Sequence, residues 1–491
     1  MPFSIFSTLS YTQELYEGLI LFEFSHKFFS SSHNKSFNMF KKFIGARSGF
    51  YEQLFSLLLP IVFQNLITSA VSMADVLMLG RVNQTVLSAS SLAGQVQFIL
   101  NIMYFGLASA LTILASQYWG RDDRPTIARI FGIGFLISVP VSTAVSVMAL
   151  ICPHWVISIW TNVPELASAG SSYLRWVAFS YFFMGITQPY LSVMKSCERV
   201  QMTTAVSVFT LCLNVVLNAV LIFGLCGLPQ MGITGAALAT SIARGVELFI
   251  CLWDYARQKV FPRGIRLMFS IPMELAGDFG RYCLPAFIND AMWGLAFNMN
   301  SVIMGHLGSD IVAANSIVTV ARDLVTTVGF GIAAASSIML GKEIGSGNLS
   351  LARHDASSLL RTTVVVGVFE GLILLAISPI IPMFFKLSPT AAGYLRVMLP
   401  VNTVYQMGQI VNTLLIASLF RCGGDSSYGM KLDILCMWCF AVPLGLVSAF
   451  VLKLPPLVVY LLMCTDEFAK MPFALKHYFD GEWIRDLTRE F

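Results

Sequence analysis

Charged side chains are scarce in this chain of 491 residues, and make up 12% of it. A soluble domain carries about 25%. Hydrophobic residues reach 56%, and the mean hydropathy is +0.72. This shortage of charge indicates a membrane protein rather than a soluble domain. The net charge of +4 is small, so we expect no nucleic-acid partner.

Motifs for nucleotide, metal or redox chemistry are missing as well. No G-x-x-x-x-G-K-[ST] loop occurs, so the sequence contains no ATPase motif. The six histidines form no ligand pair, which argues against a metalloenzyme. Cys436 and Cys439 have C-x-x-C spacing, but their apolar surroundings favour packing over zinc or redox chemistry. We therefore expect no enzyme activity and no cofactor.

Long apolar runs are abundant instead. A membrane-spanning helix needs about 20 apolar residues. The sequence predicts an all-α polytopic membrane protein with twelve transmembrane helices and a lipid bilayer around it. The predicted spans are 55–79, 93–118, 131–152, 172–194, 202–224, 233–255, 282–304, 313–340, 362–385, 394–418, 432–452 and 456–478.

Lysine and arginine are concentrated in alternate loops between these spans. Such loops face the cytoplasm in most membrane proteins. We therefore expect a multi-pass protein of the plasma membrane with both termini in the cytoplasm. The basic loops carry Arg121, Arg124 and Arg129; Lys195 and Arg199; Arg257, Lys259, Arg263 and Arg266; Lys342, Arg353 and Arg361; and Arg421 and Lys431.

The first 38 residues do not form a signal peptide, because their apolar stretch is short and flanked by glutamates. Met39 begins a more usual approach to a first span. We therefore predict that residues 1–45 are an N-terminal extension, either disordered or derived from a mis-annotated start, and that residues 1–38 are dispensable.

An internal repeat relates the two halves at a constant offset of 225 residues. Six spans per repeat is an even number, so both copies point the same way across the membrane. Two six-helix lobes would then be related by an axis along the membrane normal, a transporter arrangement. The sequence predicts lobes at 46–260 and 281–479, a cytoplasmic linker at 261–280 and a cytoplasmic tail at 480–491. The equivalent positions are Pro60 and Pro285, Asp75 and Asn300, Gly80 and Gly305, Gly106 and Gly331, and Gly120 and Gly345.

A polar stripe follows one face of the first span and ends in a carboxylate. Gln64, Thr68, Ser72 and Asp75 are spaced by about one helical turn each. Helix–helix hydrogen bonding remains an open alternative for the first three. A charge at the centre of a membrane helix costs about 2.5–3.5 kcal/mol on insertion scales, so Asp75 is expected to be functional.

The seventh span repeats that stripe with more aromatic side chains. Asn289, Trp293, Phe297 and Asn300 share a face, and Asp290 is adjacent to it. Simple packing is one interpretation. The other is a wall of a substrate cavity, together with Gln64 and Thr68, which would suit flat or cationic organic molecules.

Further polar side chains interrupt other spans. Arg244 and Glu247 are spaced to form a structural ion pair. Lys470 follows Glu467 by three residues and Asp466 by four, so a self-neutralising group is the first interpretation. Glu370 has no evident partner in the sequence.

Several segments together resemble the MATE (multidrug and toxic compound extrusion) transporters. Pro60 and Asp75 followed by MLGR resemble span 1 of that family. ASQYWGRDD, NVVLNAVLIFG, GITGAALATSIAR and LFRCGGDSSYGMKLD follow in the family's order, and the likeness covers about residues 45–490. The resemblance implies two six-helix lobes in a V. It also implies export of organic, often cationic or aromatic, compounds driven by H⁺ or Na⁺.

The resemblance also implies site residues. Asp75, Asn214, Asn218 and Thr240 would form the cation site, and Pro60 would be where the first helix bends. Some family members have Asp in place of Asn218. With Asn there, Asp75 is the single carboxylate of the cluster, and the choice of H⁺ or Na⁺, the latter bound at Asp75, stays open. We expect a monomer that acts on small organic molecules.

Two alternatives differ in class. A flippase for a lipid-linked precursor, from the same superfamily, would need a strongly cationic central cavity, and the spans hold few unpaired Lys or Arg. A membrane-embedded enzyme would need a nucleophile–base or metal constellation, and the sequence offers none.

Overall fold

Helices follow one another along the part of the chain that the structure describes. The computed structural model describes residues 45–82, 84–161, 163–227, 229–262, 264–384 and 387–490, and these ranges contain no β-strand. The predicted dispensable segment, residues 1–38, lies outside the described residues. The first half contains α1 (Phe50–Val82), α2 (Gln84–Gly120), α3 (Arg124–Ile151), α4 (Pro153–Ser158), α5 (Pro164–Ser196), α6 (Val200–Phe223) and α7 (Gly232–Arg257).

The second half is built in the same way but is less regular. Segments of π-helix interrupt it at Phe279–Cys283, Thr413–Phe420, Leu435–Ala441 and Val447–Val451. Its helices are α8 (Ile265–Phe269), α9 (Met273–Asp278), α10 (Leu284–His306), α11 (Ser309–Gly345), α12 (Leu349–Ile377), α13 (Pro389–Asn412), α14 (Ser426–Ile434), α15 (Val442–Leu446), α16 (Pro456–Met463) and α17 (Asp466–Asp480).

Eight helical stretches of the described chain are long and apolar enough to cross a membrane. The other four predicted spans, 172–194, 282–304, 394–418 and 456–478, are helical too but fall outside that set. The last is broken between α16 and α17, where the ionisable side chains Asp466, Glu467 and Lys470 follow. The eight stretches are Phe50–Val82, Thr85–Gly120, Arg124–Ile151, Val200–Phe223, Gly232–Arg257, Ser309–Gly345, Leu349–Met383 and Ser426–Val451.

Local sequence explains where these helices begin and end. The carboxylate of Asp123 accepts a hydrogen bond from the main-chain amide of Thr126 and caps the start of α3. Gly224 and Gly481 end α6 and α17 with φ of 71° and 73°, a left-handed conformation that glycine adopts without strain. The long apolar runs between such signals then extend as uninterrupted helix.

Glycines at equivalent positions of the two halves pack against equivalent partners. Gly106 of α2 has no room for a side chain, because Phe287 of α10 lies against it. Its equivalent, Gly331 of α11, lies against Val62 of α1. Val62 is itself the equivalent of Phe287 at the offset of 225 residues. The two contacts are therefore the same contact made twice.

The same reciprocity holds at one end of the bundle. Gly120 lies against the main-chain carbonyl of Lys342, and Gly345 lies against that of Gln117, the equivalent of Lys342. This end carries the loops rich in lysine and arginine, and we call it the basic end. A contact that recurs with its partners exchanged is what a two-fold relation produces.

The predicted linker and tail are packed segments. Within 261–280, Phe261, Met268 and Leu275 are buried in the core of the first half. Beyond α17, Trp483 is buried in the core of the second half, and Leu487 in that of the first. Residues 482–490, which we call the C-terminal strap, therefore join the two halves at the basic end.

Candidate functional site

Asp75 lies in a chain of hydrogen bonds that links three helices. The side-chain amide of Asn218 on α6 donates to Oδ1 of Asp75 on α1 at 2.7 Å. The same nitrogen lies 3.2 Å from Oδ1 of Asn214, one turn away on α6. The amide of Asn214 donates to Oγ1 of Thr240 on α7 at 3.3 Å. The structure thus brings all four predicted cation-site residues together.

This cluster has more acceptors than donors. Asn214 and Asn218 are buried, with 8% and 2% of their surface exposed. Oδ1 of Asn218 is buried and has no hydrogen-bond partner among the described residues. A buried acceptor left without a partner costs about 1–3 kcal/mol. A proton on Asp75, or a Na⁺ ion held by carboxylate, amide and hydroxyl oxygens, would supply the missing positive partner.

The remaining polar residues of the first helix bond within that helix. The hydroxyl of Thr68 donates to the main-chain oxygen of Gln64, and that of Ser72 to the oxygen of Thr68. Both hydrogen bonds lie on an exposed part of α1. Oε1 of Gln64 is buried and unpartnered within the described chain. Pro60 lies inside α1, where its missing N–H removes one helical hydrogen bond.

A cavity of about 240 Å³ lies where α10, α11, α13 and α16 meet α2. Phe297 and Asn300 of the predicted stripe line it, and Phe98 of α2 contributes from the first half. Trp293 packs behind Phe297 with the two rings tilted, and 4.4 Å separates the ring centroids. The predicted cavity residues Gln64 and Thr68 are not on this wall.

Arg322 of α11 is a wall residue that sequence reasoning missed. Its guanidinium lies 4.9 Å from the ring centroid of Phe297, and two of its nitrogens contact Oδ1 of Asp323 at 3.0 and 3.1 Å. The available signal was an arginine inside the apolar run 313–340, because intramembrane cations usually face a cavity.

The structure does not bring Asp290 and Asn289 to this cavity. Both oxygens of Asp290 accept hydrogen bonds from Arg421, at 2.6 and 3.0 Å, and both side chains are buried. The amide of Asn289 donates to Asp433 at 3.0 Å. Sequence spacing could not reveal this, since both partners lie far away along the chain.

Lys470 is the centre of a second buried group. Its ammonium lies 2.9 Å from Glu467, 3.0 Å from Asp433 and 4.0 Å from Asp466. The predicted acid–lysine group is therefore confirmed, with Asp433 as an additional member. Asn412 donates to Glu467 at 2.8 Å and extends the network, while its own Oδ1 is buried without a partner among the described residues. The acidic neighbours offset the cost of burying the charge of Lys470.

Other ionisable side chains within the predicted spans also have partners. Arg244 and Glu247 form the predicted ion pair, with 2.6 Å between Nη1 and Oε2. Glu370 is buried on α12 and accepts a hydrogen bond from the main-chain amide of Gly329 on α11 at 3.1 Å. The described residues contain no cluster of three or more His, Cys, Asp or Glu side chains able to hold a metal ion.

Comparison with known proteins finds the same two-part organisation. The MatE family model matches residues 60–220 and 285–447, and the two matches begin 225 residues apart. The probable multidrug resistance protein NorM of Haemophilus ducreyi is 23% identical over 406 residues, which cover 81% of this chain and 86% of NorM.

A second NorM relative and a solved MATE structure also resemble this chain. The probable multidrug resistance protein NorM of Rhizobium meliloti is 28% identical over 417 residues, or 79% of this chain and 85% of that protein. The crystal structure of the Vibrio cholerae MATE transporter VcmN in the bent form has a TM-score of 0.78 at 16% identity. The matched region covers 89% of this chain and 99% of the VcmN chain.

Proposed function

Since this chain belongs to the MatE family, we propose that it is a secondary active antiporter that exports organic, often aromatic or cationic, compounds in exchange for H⁺ or Na⁺. The hydrogen-bonded cluster around Asp75 is the observation that carries this proposal. The multidrug resistance names of its relatives supply the substrate class. The chain is an integral membrane protein, and the family consists of transporters rather than enzymes.

The proposed architecture has two six-helix lobes, at 46–260 and 281–479, related by an axis along the membrane normal. The reciprocal contacts of Gly120 and Gly345 support it. Gly120 lies against the carbonyl of Lys342, and Gly345 lies against the carbonyl of Gln117, the equivalent of Lys342 in the repeat. The two family matches at the same offset support it as well. The basic end would face the cytoplasm, with both termini there.

Coupling is proposed to depend on the charge of Asp75. A ligand can shift a conformational equilibrium only by its different affinity for the two states. Arrival of H⁺ or Na⁺ neutralises the carboxylate and changes its hydrogen bond with Asn218. The first helix can then bend at Pro60, where one main-chain hydrogen bond is already missing. That bend would rearrange the cavity and release the substrate.

The test is efflux from proteoliposomes under separately imposed pH and Na⁺ gradients, with a panel of fluorescent organic compounds. Asp75→Asn keeps the shape but cannot titrate, and should abolish gradient-driven efflux while leaving the fold intact. Asp75→Glu should retain partial activity. The matched control is Asp122→Asn, an exposed carboxylate in the loop after α2. Wild-type efflux by Asp75→Asn under both gradients would refute the proposal.

The flippase alternative needs several cations around a central cavity to hold a pyrophosphate. Arg322 is the one charged residue among those lining the 240 Å³ cavity in the described part of the chain. A single arginine gives that alternative little support, because a pyrophosphate needs several cations.

A further inference from the structure

Arg322 places a positive charge on the wall of the cavity between α10, α11, α13 and α16. Charged side chains inside membrane-spanning helices are expensive and mark substrate or ion pathways. Its partner Asp323 has 62% of its side chain exposed, against 15% for Arg322. Asp323 contacts only Nε and Nη2 of Arg322, so Nη1 of the arginine is free to engage a ligand.

The wall also carries amide groups with nothing to bind. Nδ2 of Asn402 is buried and has no partner among the described residues, although the residue lines the cavity and is only 2% exposed. The side chains of Asn300 and Asn315 line the same cavity and make no hydrogen bond within the described chain. Guanidinium has five N–H donors, and Nη1 of Arg322 makes no hydrogen bond to a described residue. The positive charge of Arg322 and the free N–H donors of the wall together favour a ligand with an anionic hydrogen-bond acceptor.

Aromatic side chains supply a further part of the surface. Phe297 lies beneath the guanidinium, and Phe98, Tyr405 and Tyr460 contribute to the wall. The volume of about 240 Å³ is below the usual range of about 300–1,000 Å³ for ligand sites, so the cavity suits one small ring system.

Comparison of the two repeats shows that the positive charge on the cavity wall is specific to the second half. Asn300 stands at the position equivalent to Asp75, and Arg322 at the position equivalent to Gln97. The second half therefore has a neutral side chain at 300, where the first half has a carboxylate, and a positive one at 322, where the first half has a neutral amide. Both Asn300 and Arg322 line the cavity. A cavity for cations would favour a carboxylate there.

From these contacts we infer that the cavity binds organic molecules that carry a carboxylate on an aromatic ring. The inference rests on the proposed function, since it names a substrate class for the same transporter. The carboxylate takes the free N–H groups of Arg322 and Asn402, and the ring packs on Phe297. Charge-assisted hydrogen bonds of this kind are about twice as strong as neutral ones.

The experiment is equilibrium binding to the purified full-length chain without any gradient. The probes are 2-naphthoate, the neutral 2-naphthamide and the cationic 2-naphthylmethylammonium, which share one ring system. Wild-type protein should bind the carboxylate about tenfold more tightly than the amide, or about 1.4 kcal/mol. Arg322→Gln should bring that ratio near one. Arg322→Lys keeps the charge without the planar fork and should retain part of the preference.

Arg353→Gln, an exposed arginine on α12, is the matched control and should keep the wild-type ratio. Because binding is measured without a gradient, a failure of coupled efflux and a failure of anion binding are distinguishable. The inference is overturned if wild-type protein binds the ammonium or the amide as tightly as the carboxylate. It is also overturned if Arg322→Gln, folded as judged by its melting temperature, retains the preference.

Discussion

Gly120 and Lys342 are in direct contact across the two halves at the basic end, with the glycine Cα facing the lysine's main-chain carbonyl. A β-carbon at position 120 would overlap that carbonyl, which belongs to the backbone of α11 and cannot rotate away. Gly345 faces the carbonyl of Gln117 in the same way. The closeness of α2 and α11 therefore depends on two residues without side chains.

Gly120→Ala and Gly345→Ala should destabilise the protein to similar extents, by about 1–3 kcal/mol or more, because each forces the two helices apart. Gly393→Ala on α13 is the control, since nothing lies within 4 Å of the added carbon there. Alanine in an open helical position should be neutral or slightly stabilising. Melting temperatures of the detergent-purified proteins check all three. Unequal effects at 120 and 345 would contradict the reciprocal packing.

The Asp290–Arg421 pair should be structural. Asp290→Asn leaves Arg421 buried without its counter-charge, which costs about 3–5 kcal/mol. The double variant Asp290→Asn with Arg421→Met removes both charges and should recover much of the loss. Thermal unfolding of the three proteins measures this. If Asp290→Asn melts like wild type but loses efflux, Asp290 is a coupling residue instead.

The C-terminal strap should protect the basic end. Gln117 of α2 donates to the carbonyl of Cys422 at 2.6 Å and accepts from the amide of Leu487 at 2.8 Å. Burial raises the pKa of the Cys422 thiol, with the nearby Glu343 charge adding to the shift. Little thiolate is therefore present near neutral pH, and the thiol should resist alkylation.

A chain ending at Gly481 lacks the strap and should expose Cys422 to a maleimide at least about tenfold faster. Peptide mass spectrometry identifies the labelled cysteine. The exposed Cys152 is the internal control, because its labelling should not change. Equal rates at Cys422 with and without the strap would show that the strap does not cover it.

Helical periodicity predicted that Asp75 is functional, because helix spacing alone places this carboxylate on the polar face of the first span. The resemblance then supplied its partners, since Asn218 lies 143 residues from Asp75. Contacts set by tertiary packing were beyond the sequence. Asp290 looked available for a cavity because its partner Arg421 lies 131 residues away, in a loop between spans.

Arg322 and the strap were missed for a different reason. Hydropathy averages a long window, so an Arg–Asp dipeptide inside 313–340 hardly changes the score. The strap is a short charged segment with two apolar residues, Trp483 and Leu487. Their role is evident only once the structure shows that each packs into one of two hydrophobic cores. The break between α16 and α17 was missed for the same reason, because a hydropathy window measures the length of an apolar run and not the continuity of the helix.

Asn218→Asp tests the geometry of the Asp75 cluster most directly. The amide nitrogen of Asn218 is 2.7 Å from Asp75, so the new carboxylate would face an existing one. Two carboxylates in contact cannot both stay ionised without a cation between them. The variant should therefore hold a shared proton or a Na⁺ ion that the wild type binds less firmly.

Its melting temperature should respond accordingly. If a proton is shared, it is lost as the pH rises, so the melting temperature should fall between about pH 5 and about pH 9 more steeply than in the wild type. If Na⁺ binds, added Na⁺ should raise the melting temperature of the variant more than K⁺ does, since the site gains a hard oxygen ligand. Asn101→Asp on α2, at an exposed position, is the matched control and should add neither dependence. A variant whose melting temperature follows the wild-type pH and Na⁺ dependence would mean that residues 75 and 218 do not share one ion site.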